Sequence, residues 1–195
     1  HASALKAMTV QEITAKARAA IVRIETDLGS GFIIDPDGLI LTNNHVIKDA
    51  RKITVYLDNG TSHTGTVQGR DMVRDLAVVK INASNLPTLE LGDLSQVPLG
   101  ADSMVLGYPL GTKDLTVTKG VASAFKSDFG RNISWVKTDT AINRGNSGGP
   151  LLNLQGQVIG VVTLAQTTAQ NVGFAVSVNT VKLYLERLKA GEVIA

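Results

Sequence analysis

The sequence lacks cysteine, and aromatic residues make up only 4% of its 195 positions. Without cysteine the fold cannot depend on a disulfide, and nothing indicates a redox compartment. The three histidines are scattered and do not have the spacing of a zinc site, so we expect no metal and no cofactor. Since hydrophobic residues still reach 44%, Val, Ile and Leu must fill the core.

Neither sign of charge dominates, because 19 Lys and Arg face 17 Asp and Glu, a net charge of +2. This balance does not predict nucleic-acid binding. No apolar run reaches the roughly 18 residues that span a bilayer, so we expect a soluble chain. The chain starts with His1-Ala2-Ser3 instead of Met, which suggests a processed or trimmed protein from which a signal peptide or membrane anchor was removed.

Short runs of β-forming residues, separated by turn signals about every 8–12 residues, predict an all-β chain built as an antiparallel sandwich or barrel. Asp58-Asn59-Gly60 is one such turn signal. A proline-containing loop divides the strands into two lobes, about 20–85 and 100–177. Short helices are expected at both ends, at the capping box Thr9-Val10-Gln11-Glu12 and at about 178–190.

One glycine-rich stretch, Asn143-Arg144-Gly145-Asn146-Ser147-Gly148-Gly149-Pro150, places a serine in a sharp loop between apolar strands. Glycine allows such a loop to turn and to direct several N–H groups into one concavity. A hydroxyl beside converging donors suits acyl transfer, which needs a nucleophile and an oxyanion hole. Read alone, the stretch also fits a hairpin in which Ser147 only caps a turn.

A serine nucleophile needs a histidine base and a carboxylate that orients the histidine. His1 is terminal and His63 follows a turn, where a solvated position is expected, which leaves His45 at the end of an apolar strand. Asp75 precedes another apolar strand and is the candidate carboxylate, with Asp71 as its rival. Taken singly, His45 also fits a buried structural histidine and Asp75 a strand cap.

Four motifs follow one another along the chain: Thr42-Asn43-Asn44-His45-Val46, Asp75-Leu76-Ala77-Val78-Val79-Lys80, Thr138-Asp139-Thr140-Ala141-Ile142-Asn143 with Gly145-Asn146-Ser147-Gly148-Gly149-Pro150, and Gly173-Phe174-Ala175-Val176. Together they resemble the protease domain of the HtrA/Deg family of trypsin-like serine proteases, over residues 10–190. The resemblance implies one protease domain at 1–195 with the chymotrypsin-like fold, two antiparallel β-barrels with the site in the cleft between them. It also implies a catalytic triad of His45, Asp75 and Ser147, with the N–H groups of Gly145 and Ser147 as the oxyanion hole.

The resemblance also assigns the pocket for the residue that precedes the cut. Its walls are Ala141, Ile142, Asn143, Thr163, Leu164, Ala165 and Phe174. None of these residues is charged, so we expect a preference for Val, Ala or Ile over Lys or Arg. The family further implies polypeptide substrates, ATP-independent cleavage of unfolded or misfolded protein, and a place outside the cytoplasm.

The sequence departs from the family pattern in three respects. Arg144 stands where the family usually has Pro, which removes a fixed φ angle. This departure suggests a more mobile oxyanion loop, the alternative being a harmless exposed arginine. Family members generally continue into PDZ domains, so we expect an excised protease domain or a short member. Residues 1–19 hold no aromatic residue of the kind that commonly joins family trimers, which favours a monomer over a homotrimer.

Two rival functions remain. A catalytically silent trypsin-like fold would act as a binding or scaffold module, although the retention of all three triad residue types argues against it. A serine hydrolase of the α/β type needs a parallel sheet and the order Ser, Asp, His, whereas this chain has the order His, Asp, Ser.

Overall fold

Helix α1 (Val10–Ala17) lies near the start of the computed structural model, which describes residues 6–26, 28–109, 112–163 and 173–195. The predicted capping box forms, because Thr9 Oγ1 accepts from the Glu12 N–H and Glu12 Oε1 accepts from the Thr9 N–H. Ile13 and Ala17 form the buried side of the helix. A 3-10 turn at Arg18–Ala20 leads into the first strand.

The first barrel consists of six antiparallel strands: β1 (Ile21–Ile24), β2 (Gly29–Asp35), β3 (Leu39–Thr42), β4 (Lys52–Tyr56), β5 (Ser62–Asp71) and β6 (Leu76–Ile81). Their order is β5-β4-β1-β2-β3-β6, and pairing of β5 with β6 closes the ring. A four-residue helix, α2 (Asn44–Ile47), follows β3 and was not expected from the sequence. Because α2 carries His45, the histidine lies on a helical turn at the rim of the barrel.

The second barrel also closes from six strands: β7 (Asp102–Gly107), β8 (Thr116–Asp128), β9 (Ile133–Thr138), β10 (Pro150–Leu152), β11 (Val158–Thr163) and β12 (Gly173–Ser177). Their order around the barrel is β10-β11-β12-β9-β8-β7. Two 3-10 turns, Leu94–Gln96 and Arg144–Asn146, lie in the connections. The chymotrypsin-like double barrel expected from the resemblance is confirmed.

Helix α3 (Val178–Lys189) follows the second barrel directly. Ser177 is its N-cap, since its side chain accepts from the Thr180 N–H. After the helix, the short strand β13 (Val193–Ile194) pairs in parallel with β5, so the C-terminal segment returns to the first barrel. The described ranges contain no helix that is long and apolar enough to cross a membrane.

Aliphatic side chains fill both barrels, as the scarcity of aromatics requires. One cluster of buried residues extends from the first barrel into the second, with Val79 and Ile33 on one side and Leu106 and Val161 on the other. A smaller cluster around Val136 fills the remainder of the second barrel. Because the larger cluster includes side chains from both barrels, burial of apolar surface fixes one barrel against the other and fixes the cleft between them.

Candidate active site

Ser147 follows the 3-10 turn Arg144–Asn146 and is only 1% exposed. The next residue, Gly148, has φ +88°, and a Cβ there would meet the carbonyl oxygen of Ser30 at 2.1 Å. Only glycine fits this combination of a left-handed backbone and a close approach. The sharp turn predicted around Ser147 therefore depends on Gly148.

Three hydrogen bonds hold the serine loop against its surroundings. The Ser30 N–H donates to the Ser147 carbonyl at 2.9 Å, and Ser30 Oγ donates to the Gly145 carbonyl at 2.7 Å. The Gly148 N–H donates to the Val162 carbonyl at 2.8 Å. Since Ser30 belongs to β2 and Val162 to β11, the loop is fixed to both barrels at the cleft.

His45 and Asp75 are joined by two hydrogen bonds. His45 Nδ1 lies 2.6 Å from Asp75 Oδ2, and the His45 N–H donates to Asp75 Oδ1 at 2.8 Å. Asn43 holds the backbone of the same aspartate, because its Nδ2 donates to the Asp75 carbonyl at 2.9 Å. With Nδ1 on the carboxylate, Nε2 is the ring nitrogen that a proton transfer to or from a substrate would use.

Asp75 has φ +57°, a left-handed conformation that aspartate adopts more readily than most residues. This backbone lies in the turn between β5 and β6. The rival carboxylate, Asp71, is fully buried and forms an ion pair with Arg74 at 2.9 Å. His63 lies on β5, where its Nε2 is 3.3 Å from Thr61 Oγ1. The two carboxylates therefore have different partners, and His45 pairs with Asp75.

The contact between Thr163 and Asp75 was not predicted from the sequence. Thr163 Oγ1 donates to Asp75 Oδ2 at 3.0 Å, so a residue at the end of β11 touches a carboxylate of the first barrel. The sequence interpretation placed Thr163 only in the wall of the substrate pocket. The sequence feature that could have indicated this contact is the position of Thr163, the one hydroxyl residue at the end of an otherwise apolar strand.

Ser147 lies in the same cleft as this histidine and aspartate. Its neighbour Gly148 is bonded to Val162, which immediately precedes Thr163. On the other side, the Val46 side chain and the Ser147 carbonyl oxygen both lie against Gly29. The Ser147 hydroxyl itself has no hydrogen-bond partner within the described ranges. In this conformation the hydrogen bond from serine to histidine is therefore not made.

The Gly145 N–H, one of the two expected oxyanion donors, has a partner inside the loop. It donates to Asn143 Oδ1 at 3.1 Å. The Asn146 N–H also donates to the Asn143 carbonyl at 3.1 Å, which closes the 3-10 turn. The backbone of Tyr108 and Pro109 packs behind Gly145, so a side chain at position 145 would meet the Tyr108 carbonyl oxygen.

The described residues of the expected substrate pocket are uncharged. Ile142 packs onto Gly173, where a Cβ would meet Ile142 Cδ1 at 2.2 Å. Thr163 pairs with Phe174 across β11 and β12, and Ala141 is exposed. The remaining two expected wall residues, Leu164 and Ala165, lie outside the described residues. Within the described ranges, no group of three His, Cys, Asp or Glu side chains could hold a metal ion.

Comparison with known proteins identifies the family of the chain. The family model of the trypsin-like peptidase domain matches residues 29–161. The putative serine protease HhoB of Synechocystis sp. is 44% identical over 170 residues, which cover 84% of this chain and 41% of that protein. A probable periplasmic serine endoprotease, DegP-like, of Chlamydia muridarum is 44% identical over 170 residues, 82% of this chain and 33% of its own length.

The solved structures that resemble this chain are also named as proteases. The HtrA-type protease AlgW with tripeptide has a TM-score of 0.84 and 32% identity, covering 93% of this chain and 64% of that one. The serine endoprotease from Yersinia pestis has a TM-score of 0.81 and 34% identity, covering 93% and 67%. The chain spans less than half the length of the two curated relatives, so their full activities do not transfer to it directly.

Proposed function

The chain belongs to the HtrA/Deg family of trypsin-like serine proteases, and we propose that it is a serine endopeptidase that acts through Ser147, His45 and Asp75. The observation that carries this proposal is the pair of hydrogen bonds between His45 and Asp75, with Thr163 as a third partner of the same carboxylate. A carboxylate held in this way fixes the imidazole tautomer and stabilises the imidazolium that forms during proton transfer.

The reaction proceeds through an acyl-enzyme. Ser147 Oγ attacks the carbonyl carbon of the peptide bond while His45 takes the hydroxyl proton. The tetrahedral intermediate then collapses, the C–N bond breaks, and His45 returns the proton to the leaving amine. A water molecule, deprotonated by His45, attacks the ester and releases the acid product together with free Ser147.

Substrate selection follows from the uncharged pocket. Ile142 and Phe174 offer apolar surface, and the described wall residues carry no acid that could pair with a substrate Lys or Arg. We therefore propose that the enzyme prefers small aliphatic residues before the cut. Mapping of cleavage sites on an unfolded protein tests this point, and a dominant basic preference would overturn it.

The family relationship also supports a location and a substrate class. Relatives named as periplasmic endoproteases support a place outside the cytoplasm. Unfolded or misfolded polypeptides are the proposed substrates. A monomer is the proposed state in solution. Sedimentation equilibrium tests this proposal, and a mass of three chains would contradict it.

A second candidate function, a latent or silent fold, rests on the oxyanion loop. In the described conformation the Gly145 N–H donates to Asn143 Oδ1, and Ser147 lacks its bond to histidine. An oxyanion hole needs free donors aimed at the developing charge. In the active enzyme, Gly145 therefore exchanges its bond to Asn143 for one to the substrate oxyanion. In a silent fold the Gly145 N–H keeps its bond to Asn143.

Active-site labelling with a fluorophosphonate separates the two candidates. The probe reacts only with an activated serine, so the parent should label while Ser147→Ala and His45→Ala do not. His63→Ala is the matched control, since it removes a histidine of the same barrel whose ring nitrogen lies beside Thr61 and whose backbone pairs with Val55. Failure of the parent to label, and to cleave casein at high concentration, would support the silent fold.

A further inference from the structure

Arg74 is a buried arginine at the point where the two barrels and α3 meet. It is 8% exposed, and each of its three guanidinium nitrogens donates a hydrogen bond. Nη1 donates to Asp71 Oδ2 at 2.9 Å, Nη2 to the Arg131 carbonyl at 2.7 Å and Nε to the Asn132 carbonyl at 3.1 Å. A buried charge held by a carboxylate and two carbonyls is firmly fixed, whereas loss of any one of these partners leaves an unpaired polar group.

A contact with an aromatic ring joins Arg74 to a third structural element, helix α3. The Arg74 guanidinium lies 3.6 Å from the centroid of the Tyr184 ring on α3. The hydroxyl of Tyr184 in turn accepts from Asn132 Nδ2 at 2.8 Å. Arg74 therefore ties the β5–β6 turn of the first barrel to the β8–β9 turn of the second barrel and to the C-terminal helix.

The residue after Arg74 is Asp75, in its left-handed conformation at φ +57°. Asp71 fixes the same turn from the inside, because its Oδ1 accepts from the N–H groups of Val73 and Arg74. A sparsely populated backbone conformation persists only where the surrounding contacts determine it. Arg74 and Asp71 supply those contacts on the N-terminal side of Asp75.

We propose that Arg74 is a positioning residue for catalysis: by fixing the β5–β6 turn against the β8–β9 turn and α3, it aims the Asp75 carboxylate at His45. This proposal rests on the proposed function of His45 and Asp75. It assigns no substrate contact to Arg74. Displacement of a catalytic group by a fraction of an ångström lowers turnover while leaving remote binding contacts in place.

The test uses a paired variant that removes the ionic interaction without leaving a lone buried charge. In Asp71→Asn with Arg74→Met, both charges are lost together, which favours folding. We expect kcat on a peptide substrate to fall at least about tenfold while KM stays within about twofold. Arg187→Met is the matched control, since Arg187 also lies over Tyr184, at 5.6 Å, but is bonded to Glu192 on the surface. It should retain the parental kcat.

A second readout does not depend on turnover. The proton in the 2.6 Å bond between His45 and Asp75 should give a far-downfield resonance, which we would record in the Ser147→Ala background. The double variant should shift or broaden this signal, and Arg187→Met should not. A parent that shows the resonance but never labels its serine would contradict the proposed function and leave the positioning test intact.

Arg74→Lys decides the matter if the double variant does not fold. The lysine keeps the charge beside Asp71, but one ammonium cannot reproduce the planar fork that reaches a carboxylate and two carbonyls. We expect the same direction of change in kcat and in the resonance, with a smaller size. A folded variant, by circular dichroism and a cooperative melt, with parental kcat and resonance would overturn the proposal.

Discussion

Thr163, at the end of a strand in the second barrel, donates a hydrogen bond of 3.0 Å to the carboxylate of Asp75 in the first barrel. The same oxygen, Oδ2, lies 2.6 Å from His45 Nδ1. One carboxylate oxygen is thus shared by a residue from each side of the cleft. The orientation of His45 therefore depends on how the two barrels are packed together.

Removal of the Thr163 hydroxyl tests this dependence. Thr163→Val keeps the size and branching of the side chain but cannot donate to Asp75. We expect kcat to fall about 10- to 100-fold, because a hydrogen bond to a charged group contributes about 1.5–3 kcal/mol. Steady-state kinetics on a peptide with an aliphatic residue before the cut measure the change.

Thr14→Val is the matched control, since its hydroxyl also donates one hydrogen bond, to the Val10 carbonyl in α1. This variant should keep the parental kcat within about twofold, because α1 lies outside the cleft. Parental kcat in Thr163→Val would show that Asp75 is held without the hydroxyl.

The sequence predicts much of the fold because short alternating strands and turn residues are local signals. The capping box at Thr9 is local and forms as expected. The resemblance to the protease family implies the pairing of His45 with Asp75, although it does not give the distances.

Contacts that join distant segments are not visible in local patterns. Nothing near Arg74 in the sequence indicates that its guanidinium reaches the carbonyls of Arg131 and Asn132. The bond from the Gly145 N–H to the Asn143 side chain is local in sequence but depends on the loop conformation, which several glycines leave open. Tertiary packing selects that conformation.

Gly148→Ala should destabilise the fold more than an ordinary glycine replacement. At φ +88° an alanine is strained, and its Cβ would also meet the Ser30 carbonyl oxygen at 2.1 Å. Strain of about 1–2 kcal/mol and overpacking of similar size together predict a loss of about 3 kcal/mol in the free energy of unfolding. Urea denaturation measures this loss.

Gly60→Ala separates the two causes. Gly60 has nearly the same φ, +84°, but a Cβ there would have no atom within 4 Å. It should cost only the backbone strain of about 1–2 kcal/mol. Equal losses in the two variants would show that the loop moves away from Ser30 at little cost.

Asn143→Ala should speed fluorophosphonate labelling of Ser147. The side chain of Asn143 accepts from the Gly145 N–H and so competes with the substrate oxyanion for this donor. Since such a hydrogen bond contributes about 1 kcal/mol, its removal predicts an increase of about fivefold in the labelling rate.

Asn143→Asp is the informative partner of that variant. It keeps an acceptor at the same place and adds a negative charge beside the developing oxyanion, so labelling should slow below the parental rate. If Asn143→Ala were slower than the parent instead, Asn143 would support the oxyanion hole and not compete with it.

Arg144→Pro should stabilise the serine loop. Arg144 is the first residue of the 3-10 turn, a position where proline is favoured, and the ψ of 175° at Asn143 suits a residue before proline. Proline restricts the unfolded chain, so we expect the free energy of unfolding to rise by about 0.4–1 kcal/mol. Arg144→Ala is measured alongside, because it removes the same side chain and its contacts without fixing φ. A proline variant no more stable than the alanine variant would mean that the conformation of Arg144 in the folded protein is incompatible with proline, and that the arginine does not loosen the loop through its backbone.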